Sequence, residues 1–147
     1  EVLTEILERR GRECTADDLI ELWCRIDVDD FMLRLVDRVR AAGVVTALAT
    51  NQQSYRGAHI KANLPYDSHF DHQFFSYEVG LAKPDPAFFR HIIETLGIRP
   101  HEAVFVDDME VNVRGAQEAG LTGVYFSNGD TYGHLRSRLK DLGVPGL

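Results

Sequence analysis

The sequence predicts an α/β fold, a doubly wound parallel sheet covered by helices on both faces. Three observations lead to this prediction. From residue 29 onward, short apolar runs alternate with segments of helical periodicity, as in parallel sheets covered by helices. The clearest apolar run is β-rich and directly follows a helix, which is typical of a buried parallel strand. Polar residues then follow the two strongest runs, at the strand ends where such sheets bind ligands.

Before residue 80 the chain is predicted to contain more helix than strand. The predicted elements are helices over residues 3–10, 15–25, 29–42 and 54–63 and strands over residues 44–49 and 74–76. Gly11 separates the first two helices, and Thr15 is a candidate N-cap of the second because Asp18 follows three residues later. Apolar side chains recur at helical spacing in the third helix, which stops at Gly43.

The second half of the chain continues the alternation. Its predicted elements are helices over residues 86–96, 110–119 and 132–142 and strands over residues 103–106 and 124–126. Asp85 can cap the first of these helices, and Pro86 fits its first turn, where a missing N–H costs nothing. Gly97 and Gly120 follow the ends of two helices, a position that favours glycine.

The composition excludes several classes of protein. The 147 residues carry a net charge of −7, with 44% hydrophobic and 27% charged residues, as in one ordinary globular domain. The acidic balance disfavours a nucleic-acid-binding surface. No apolar run approaches the ~20 residues that span a bilayer, and the N-terminus does not resemble a signal peptide. Cys14 and Cys24 form no disulfide framework or metal motif, so a cytoplasmic location is expected.

Two polar elements near the predicted strand ends could bind an anion. Thr50-Asn51 follows the strand over residues 44–49, where a hydroxyl and the backbone N–H groups of a loop can hold a phosphate oxygen. Either residue could also serve only to turn the chain. Lys83 precedes Pro84 and could neutralise an anion in the same cleft. The alternative for a single lysine is a solvated surface position.

A third polar element, Asp107-Asp108, follows the strand over residues 103–106, and Asn112 lies four residues beyond Asp108. Adjacent carboxylates repel each other and are costly to bury. A hard cation such as Mg²⁺, which prefers oxygen ligands, would relieve that repulsion. The alternative is that one of them caps the helix starting at Glu110. Capping would explain one aspartate but not two.

The order of these elements resembles that of the haloacid dehalogenase superfamily. Thr50 matches the Thr or Ser of motif two, at the end of the second strand. Lys83 matches the lysine of motif three, in a Gly-x-x-Lys-Pro loop. Asp107, Asp108 and Asn112 match the acidic cluster of motif four. The Asp-Asp-x-x-x-Asn form is similar to the branch that includes sugar-phosphate phosphatases and the phosphatase domain of soluble epoxide hydrolase.

The resemblance implies a role for each matched residue in phosphoryl transfer through an aspartyl-phosphate. It implies that a phosphate group contacts Thr50 and Asn51 and is neutralised by Lys83, and that the substrate is a small-molecule phosphate ester. It also implies that Asp108 binds Mg²⁺ while Asp107 contributes through water or as a supporting partner. Asn112 would orient these carboxylates.

The resemblance also implies a division of the chain. Residues 1–28 would be the remnant of a helical cap, and residues 29–147 an α/β core that lacks its first strand. Trp23 and Phe31 are predicted to be buried at the junction of cap and core. Tyr55 and Arg56 follow the Thr50 loop and are interpreted as an exposed helix start, the alternative being contact with the substrate.

No segment matches motif one, the Asp-x-Asp that supplies the nucleophile. The sequence Asp27-Val28-Asp29-Asp30 contains the pattern, but no clean strand precedes it and Thr50 follows too closely for a cap. We interpret Asp29 or Asp30 as the cap of the next helix. The absent strand should lie between the strands over residues 44–49 and 103–106, leaving two unpaired edges. The 147-residue chain alone is therefore predicted to be inactive, and either to be unstable or to associate through its open sheet edges.

Three functions compete at this point. The favoured one is an Mg²⁺-dependent phosphomonoesterase of small metabolites, whose nucleophile lies outside the 147 residues. A catalytically inactive binding or assembly module is the second, because motif one is missing. Haloacid dehalogenation is the third, and the paired Asp107-Asp108 disfavours it because that chemistry needs no metal.

Overall fold

The structure is a computed structural model that describes residues 2–11, 14–127 and 129–147. Parallel strands alternate with helices, which confirms the α/β prediction. The helices in chain order are α1 Val2–Arg9, α2 Ala16–Cys24, α3 Asp30–Ala41, α4 Ser54–Asn63, α5 Tyr66–His69, α6 Ser76–Val79, α7 Pro86–Leu96, α8 Glu110–Glu118 and α9 Tyr132–Asp141, with a 3₁₀ turn at Pro100–Glu102. The strands are β1 Ala47–Thr50, β2 His72–Phe75, β3 Val104–Asp107 and β4 Thr122–Tyr125.

The strands form two separate parallel pairs. Strand β1 pairs with β2, with Thr50 opposite Phe75, and β3 pairs with β4, with Asp107 opposite Tyr125. In the part of the chain that the structure describes, no hydrogen-bonded strand joins β1 to β3. The sheet is therefore split into two halves, and side chains from the strand ends and the loop at Lys83 connect them.

Strands β1 and β3 begin and end later than predicted. Residues 44–46 lie outside β1 because they close the turn after α3 and join the entry to β2. The Val44 amide donates to the Val39 carbonyl, and the Thr46 amide donates to the Asp71 carboxylate at 2.9 Å. Thr50 and Asp107 are consequently the last residues of β1 and β3, rather than loop residues. The ladder thus holds the backbone of both polar residues.

Strands β2 and β4 show the opposite error, because each begins and ends earlier than predicted. Strand β2 covers His72–Phe75, and Ser76 begins α6 instead of continuing the strand. The Ser76 hydroxyl accepts a hydrogen bond from the Gln52 amide at 2.9 Å. This long-range contact ends the strand, and neither α5 nor α6 has enough helical periodicity to be predicted from sequence.

Helix α7 supplies the main core. Phe88 and Phe89 are fully buried, and the Phe89 ring packs edge-on against Phe105 of β3 with centroids 4.9 Å apart. Burying one such ring is worth about 1.5–3 kcal/mol. The other buried members of this cluster are Phe74, Ile92, Ile93, Ala116 and Leu121. A second cluster contains Val124, Leu135 and Leu139 and packs α9 against β4.

The caps of the first helices are as predicted. The Thr15 hydroxyl accepts from the Asp18 amide, and the Asp18 carboxylate accepts from the Thr15 amide at 2.8 Å, which completes a capping box. The Asp29 carboxylate accepts from the Phe31 and Met32 amides, both at 3.0 Å. Asp29 is therefore the cap of α3, as the interpretation of Asp27–Asp30 required.

The prediction that Trp23 and Phe31 are buried is wrong. Trp23 is 41% and Phe31 56% exposed. Each ring is covered on one face by surface side chains instead of core residues. The Arg56 guanidinium lies 5.7 Å from the Trp23 ring centroid, and Phe31 stacks on Tyr132 with centroids 4.8 Å apart.

No helix in the described ranges is both long enough and apolar enough to cross a bilayer.

Candidate active site

The candidate site lies where β1 and β3 end and the loop at Lys83 approaches both. Thr50 closes β1, and Asp107 closes β3. Lys83 lies between α6 and α7, and the Lys83–Pro84 peptide bond is cis. The carboxyl ends of parallel strands are where this type of sheet binds ligands. The structure therefore brings residues from three separate segments to one edge.

A buried ion pair forms the centre of the site. The Lys83 ammonium lies 2.7 Å from Asp107 Oδ2, and the two side chains are only 11% and 6% exposed. The same Lys83 nitrogen lies 5.5 Å from the Phe105 ring centroid. Because the Asp107 carboxylate binds the Lys83 ammonium, the position of that ammonium is fixed before an anion binds.

Asp107 is saturated with donors from its own chain. Its Oδ2 accepts from Lys83, and its Oδ1 accepts from the Met109 amide at 2.8 Å and from Asn112 Nδ2 at 2.9 Å. Asn112 is itself buried, with 6% of its surface exposed. The predicted supporting role of Asn112 agrees with this contact. Asp107 has its carboxylate oriented by three donors and is poorly placed to bind a metal directly.

Asp108 differs from Asp107 in its exposure and in its contacts. It is exposed, and no hydrogen bond or ion pair engages its carboxylate among the residues that the structure describes. Neither aspartate side chain caps α8 from the N-cap position, which Met109 occupies. Asp108 is thus the carboxylate of the pair that remains open to a ligand.

Asn51 holds the backbone of the lysine loop. Its Nδ2 donates to the Lys83 carbonyl at 2.7 Å, and its Oδ1 accepts from the Lys83 amide at 2.9 Å. Both ends of the side-chain amide are therefore used on the chain itself. The prediction that Asn51 contacts phosphate stays a prediction, and in this structure its side chain positions Lys83.

Gly115 is a site-supporting residue that sequence reasoning missed. A Cβ at this position would lie 1.9 Å from the Pro84 carbonyl oxygen and 2.9 Å from the Pro84 carbonyl carbon. Helix α8 therefore packs directly on the backbone next to Lys83, which only a glycine permits. A glycine within a predicted helix was the signal available in the sequence.

Gln52 is the other missed residue. Its Nε2 donates to Thr50 Oγ1 at 2.9 Å, and its backbone exchanges two hydrogen bonds with the Ser76 hydroxyl. Nothing in the local pattern distinguishes Gln52 from any loop glutamine. One partner, Ser76, is 24 residues away, and the contacts with Thr50 and Arg56 depend on the conformation of the loop between β1 and α4.

The metal-binding chemistry of the site is limited. Over residues 2–11, 14–127 and 129–147 no group of three or more His, Cys, Asp or Glu side chains could hold a metal ion. Asp108 offers one exposed carboxylate. That donor set fits Mg²⁺, which keeps several waters and binds through one or two carboxylates together with substrate phosphates. It does not fit a metal that needs a complete protein cage.

The fold and this arrangement define a class, an α/β core with a lysine and paired carboxylates at the ends of parallel strands. A sequence model of haloacid dehalogenase-like hydrolases matches residues 2–120, and the chain belongs to this family. The resemblance inferred from Thr50, Lys83 and Asp107-Asp108 is thereby confirmed at the level of the family.

Several curated proteins are similar to this chain. Flavin mononucleotide hydrolase 1 of Arabidopsis thaliana is 35% identical over 85 residues, which cover 58% of this chain and 34% of that protein. Bifunctional epoxide hydrolase 2 of Sus scrofa is 30% identical over 117 residues, which cover 77% of this chain and 21% of that protein. The chain therefore spans about a third or less of the length of these relatives.

A third curated protein and a solved structure are also similar to this chain. Phosphoserine phosphatase of Thermus thermophilus is 38% identical over 93 residues, covering 61% of this chain and 36% of that protein. A HAD family enzyme of Bacteroides thetaiotaomicron, solved with magnesium and inorganic phosphate, superposes with a TM-score of 0.75 and 28% identity. The superposition covers 88% of this chain and 69% of that one.

Proposed function

We propose that the protein is an Mg²⁺-dependent phosphomonoesterase of small metabolites, of the sugar-phosphate type. The observation that carries the proposal is the buried Lys83–Asp107 pair at the strand ends, with the exposed Asp108 carboxylate beside it. The names of the relatives support it, since two of them are a phosphatase and a flavin mononucleotide hydrolase. The similar structure with bound magnesium and phosphate also supports it.

Each residue of the site has a task in this chemistry. The Thr50 hydroxyl donates a hydrogen bond to a phosphoryl oxygen. Lys83 neutralises negative charge that develops on the transferring group. Asp107 and the Asn51 side chain keep Lys83 in position from its ammonium end and its backbone end. Asn112 holds Asp107 in turn.

Asp108 would hold Mg²⁺, which supplies Lewis-acid stabilisation of negative charge on the phosphoryl group when it is bound. One exposed carboxylate is a weak site by itself, because Mg²⁺ gives up its waters reluctantly. Phosphate oxygens of the substrate would complete the binding. We therefore expect Mg²⁺ and phosphate to bind more tightly together than separately.

The nucleophile is proposed to be an aspartate outside the 147 residues. Its carboxylate oxygen would attack phosphorus while the ester P–O bond breaks, and the second aspartate of the same Asp-x-Asp motif would protonate the oxygen of the leaving alcohol. Water would then hydrolyse the acyl phosphate to inorganic phosphate. Asp29 is not that residue, because its carboxylate caps α3 and contacts the Tyr132 hydroxyl. The 147-residue chain alone is proposed to be inactive.

The test is an assay of the protein as its gene encodes it, on p-nitrophenyl phosphate and a panel of sugar phosphates. Hydrolysis should require Mg²⁺, stop with EDTA and disappear in Asp108→Asn. Because Asp108 is exposed and forms no ion pair with any residue that the structure describes, the free energy of unfolding of the variant should lie within about 0.5 kcal/mol of the wild-type value. Glu110→Gln is the matched control, since Glu110 is also exposed, and it should retain activity.

Two results would overturn the proposal. One is the absence of turnover on every substrate at saturating Mg²⁺. The other is an Asp108→Asn variant that hydrolyses as well as Glu110→Gln. A catalytically inactive binding module is the second candidate, because no Asp-x-Asp follows a strand in the part of the chain that the structure describes. The gene sequence on the 5′ side of the Glu1 codon separates the two candidates.

A further inference from the structure

A chain of three hydrogen bonds connects the end of α2 to Thr50. Arg56 Nε donates to the Trp23 carbonyl at 3.0 Å, and Arg56 Nη1 donates to Gln52 Oε1 at 3.2 Å. Gln52 Nε2 then donates to Thr50 Oγ1 at 2.9 Å. The contacts with Gln52 are half-buried, so water competes with them only in part. Arg56 lies in the first turn of α4, as the helix-start prediction required, but it is half-buried and links α2 to α4.

The chemistry of the donors gives this chain a fixed direction. A guanidinium has donors only, so the side-chain oxygen of Gln52 must face Arg56. The NH₂ group of Gln52 must then face Thr50. The Thr50 hydroxyl accepts that hydrogen bond with one lone pair, and its single proton has to point elsewhere.

The backbone of Gln52 is fixed independently of its side chain. Its amide donates to the Ser76 hydroxyl at 2.9 Å, and the Ser76 hydroxyl donates to the Gln52 carbonyl at 3.0 Å. The reciprocal pair joins the loop after β1 to the start of α6. A side chain on so rigid a segment has little freedom to change partners.

We infer that Gln52 is a positioning residue that keeps the Thr50 hydroxyl as a hydrogen-bond donor toward phosphate. Phosphate oxygens at neutral pH are predominantly acceptors, so Thr50 must offer its proton to bind them. Arg56 sets the orientation of Gln52, and its bond to the Trp23 carbonyl makes that orientation depend on the contact between α2 and α4. The inference rests on the proposed function, in which Thr50 binds the phosphoryl group.

Two substitutions at Gln52 separate this role from a purely structural one. Gln52→Glu keeps an acceptor for Arg56 but presents an acceptor to Thr50, whose proton then turns toward residue 52. Gln52→Met removes both contacts and leaves the Thr50 hydroxyl free to rotate. Gln53→Glu is the matched control, because it makes the same change at the exposed neighbour, whose side chain does not cap α4.

Phosphate affinity and thermal stability should rank Gln52→Glu and Gln52→Met in opposite orders. The dissociation constant of inorganic phosphate, measured by calorimetry with Mg²⁺ on the protein as its gene encodes it, should rise roughly tenfold or more in Gln52→Glu. It should rise about threefold in Gln52→Met and less than that in Gln53→Glu, which also reports the effect of the added charge. Thermal stability should instead be lowest in Gln52→Met, since Gln52→Glu retains the contact with Arg56.

The outcomes distinguish the inference from the function on which it rests. If the wild type neither binds phosphate nor hydrolyses phosphate esters, both fail. If the wild type does so and Gln52→Glu binds phosphate as tightly as Gln53→Glu, only the role of Gln52 is refuted. A loss of binding that follows the loss of stability, with Gln52→Met weakest in both, would also refute it.

Discussion

Replacing Lys83 by methionine tests whether the site is held together by its ion pair. The substitution keeps the length of the side chain and removes the charge that lies 2.7 Å from Asp107. Asp107 would then be a carboxylate with 6% of its side chain exposed and no cation beside it. Breaking a buried pair by removing one partner costs about 3–5 kcal/mol, because the remaining charge has lost its counterion.

In the protein as its gene encodes it, that cost corresponds to a fall in melting temperature of roughly 6 to 20 °C, at about 2–4 °C per kcal/mol for a domain of about 150 to 250 residues. Urea unfolding gives the free energy directly through the midpoint and slope. The control is Arg114→Met, which breaks an exposed pair with Glu110 whose side chains are 61% and 65% exposed. Exposed helix pairs contribute only about 0.3–0.5 kcal/mol.

The double variant Lys83→Met with Asp107→Asn completes the cycle. With both charges removed, the loss of stability should be smaller than the sum of the two single losses. If Lys83→Met is no more destabilising than Arg114→Met, the Lys83–Asp107 pair does not stabilise the site. Additive losses would likewise mean that the two residues act independently, against the geometry described above.

Two further perturbations test the packing beside the site and the hydrogen bonds at the opposite ends of β1 and β2, where Asp71 precedes β2. Gly115→Ala should destabilise the protein by about 1–3 kcal/mol, because its Cβ meets the Pro84 carbonyl oxygen at 1.9 Å. Gly133→Ala, in α9 with its nearest contact at 3.6 Å, should be neutral or stabilising in urea unfolding, and equal effects would contradict the packing. A hydrogen bond from the Thr46 amide, aided by Arg40, holds the pKa of Asp71 below its ordinary value. Its contribution is therefore complete above the unfolded pKa of about 4 and is lost as the pH falls through the lower folded pKa. The melting temperature of the wild type should exceed that of Asp71→Asn at pH 7, and the difference should close below about pH 4. A difference that does not depend on pH would refute this assignment.

Local chemistry made several elements predictable from sequence alone. Helix α7 begins after Asp85, whose carboxylate accepts from the Ala87 amide at 2.8 Å, and ends before Gly97 in the left-handed region. The capping box at Thr15 and the Asp29 cap involve residues two or three apart. These features follow from short-range donors, acceptors and backbone preferences, which the order of residues specifies directly.

The candidate site was predictable as a set of residues but not as a set of contacts. Thr50, Lys83 and Asp107 were identified by their order along the chain. The sequence also indicated that Asp107 and Asp108 would have different tasks, through the family resemblance. It contained no sign that the Asn51 side chain would hold the Lys83 backbone.

Only the tertiary structure decided which partner each polar group takes. The Lys83–Asp107 pair joins residues 24 positions apart, and Gln52 reaches Ser76 over the same separation. The exact ends of β1 and β3, and the exposure of Trp23, also depend on neighbours that are distant in sequence. A hydrogen bond or a buried charge is stable only when a partner at a suitable distance offsets its loss of water. Such distances are set by how the strands and helices pack together, and the residue order alone does not contain them.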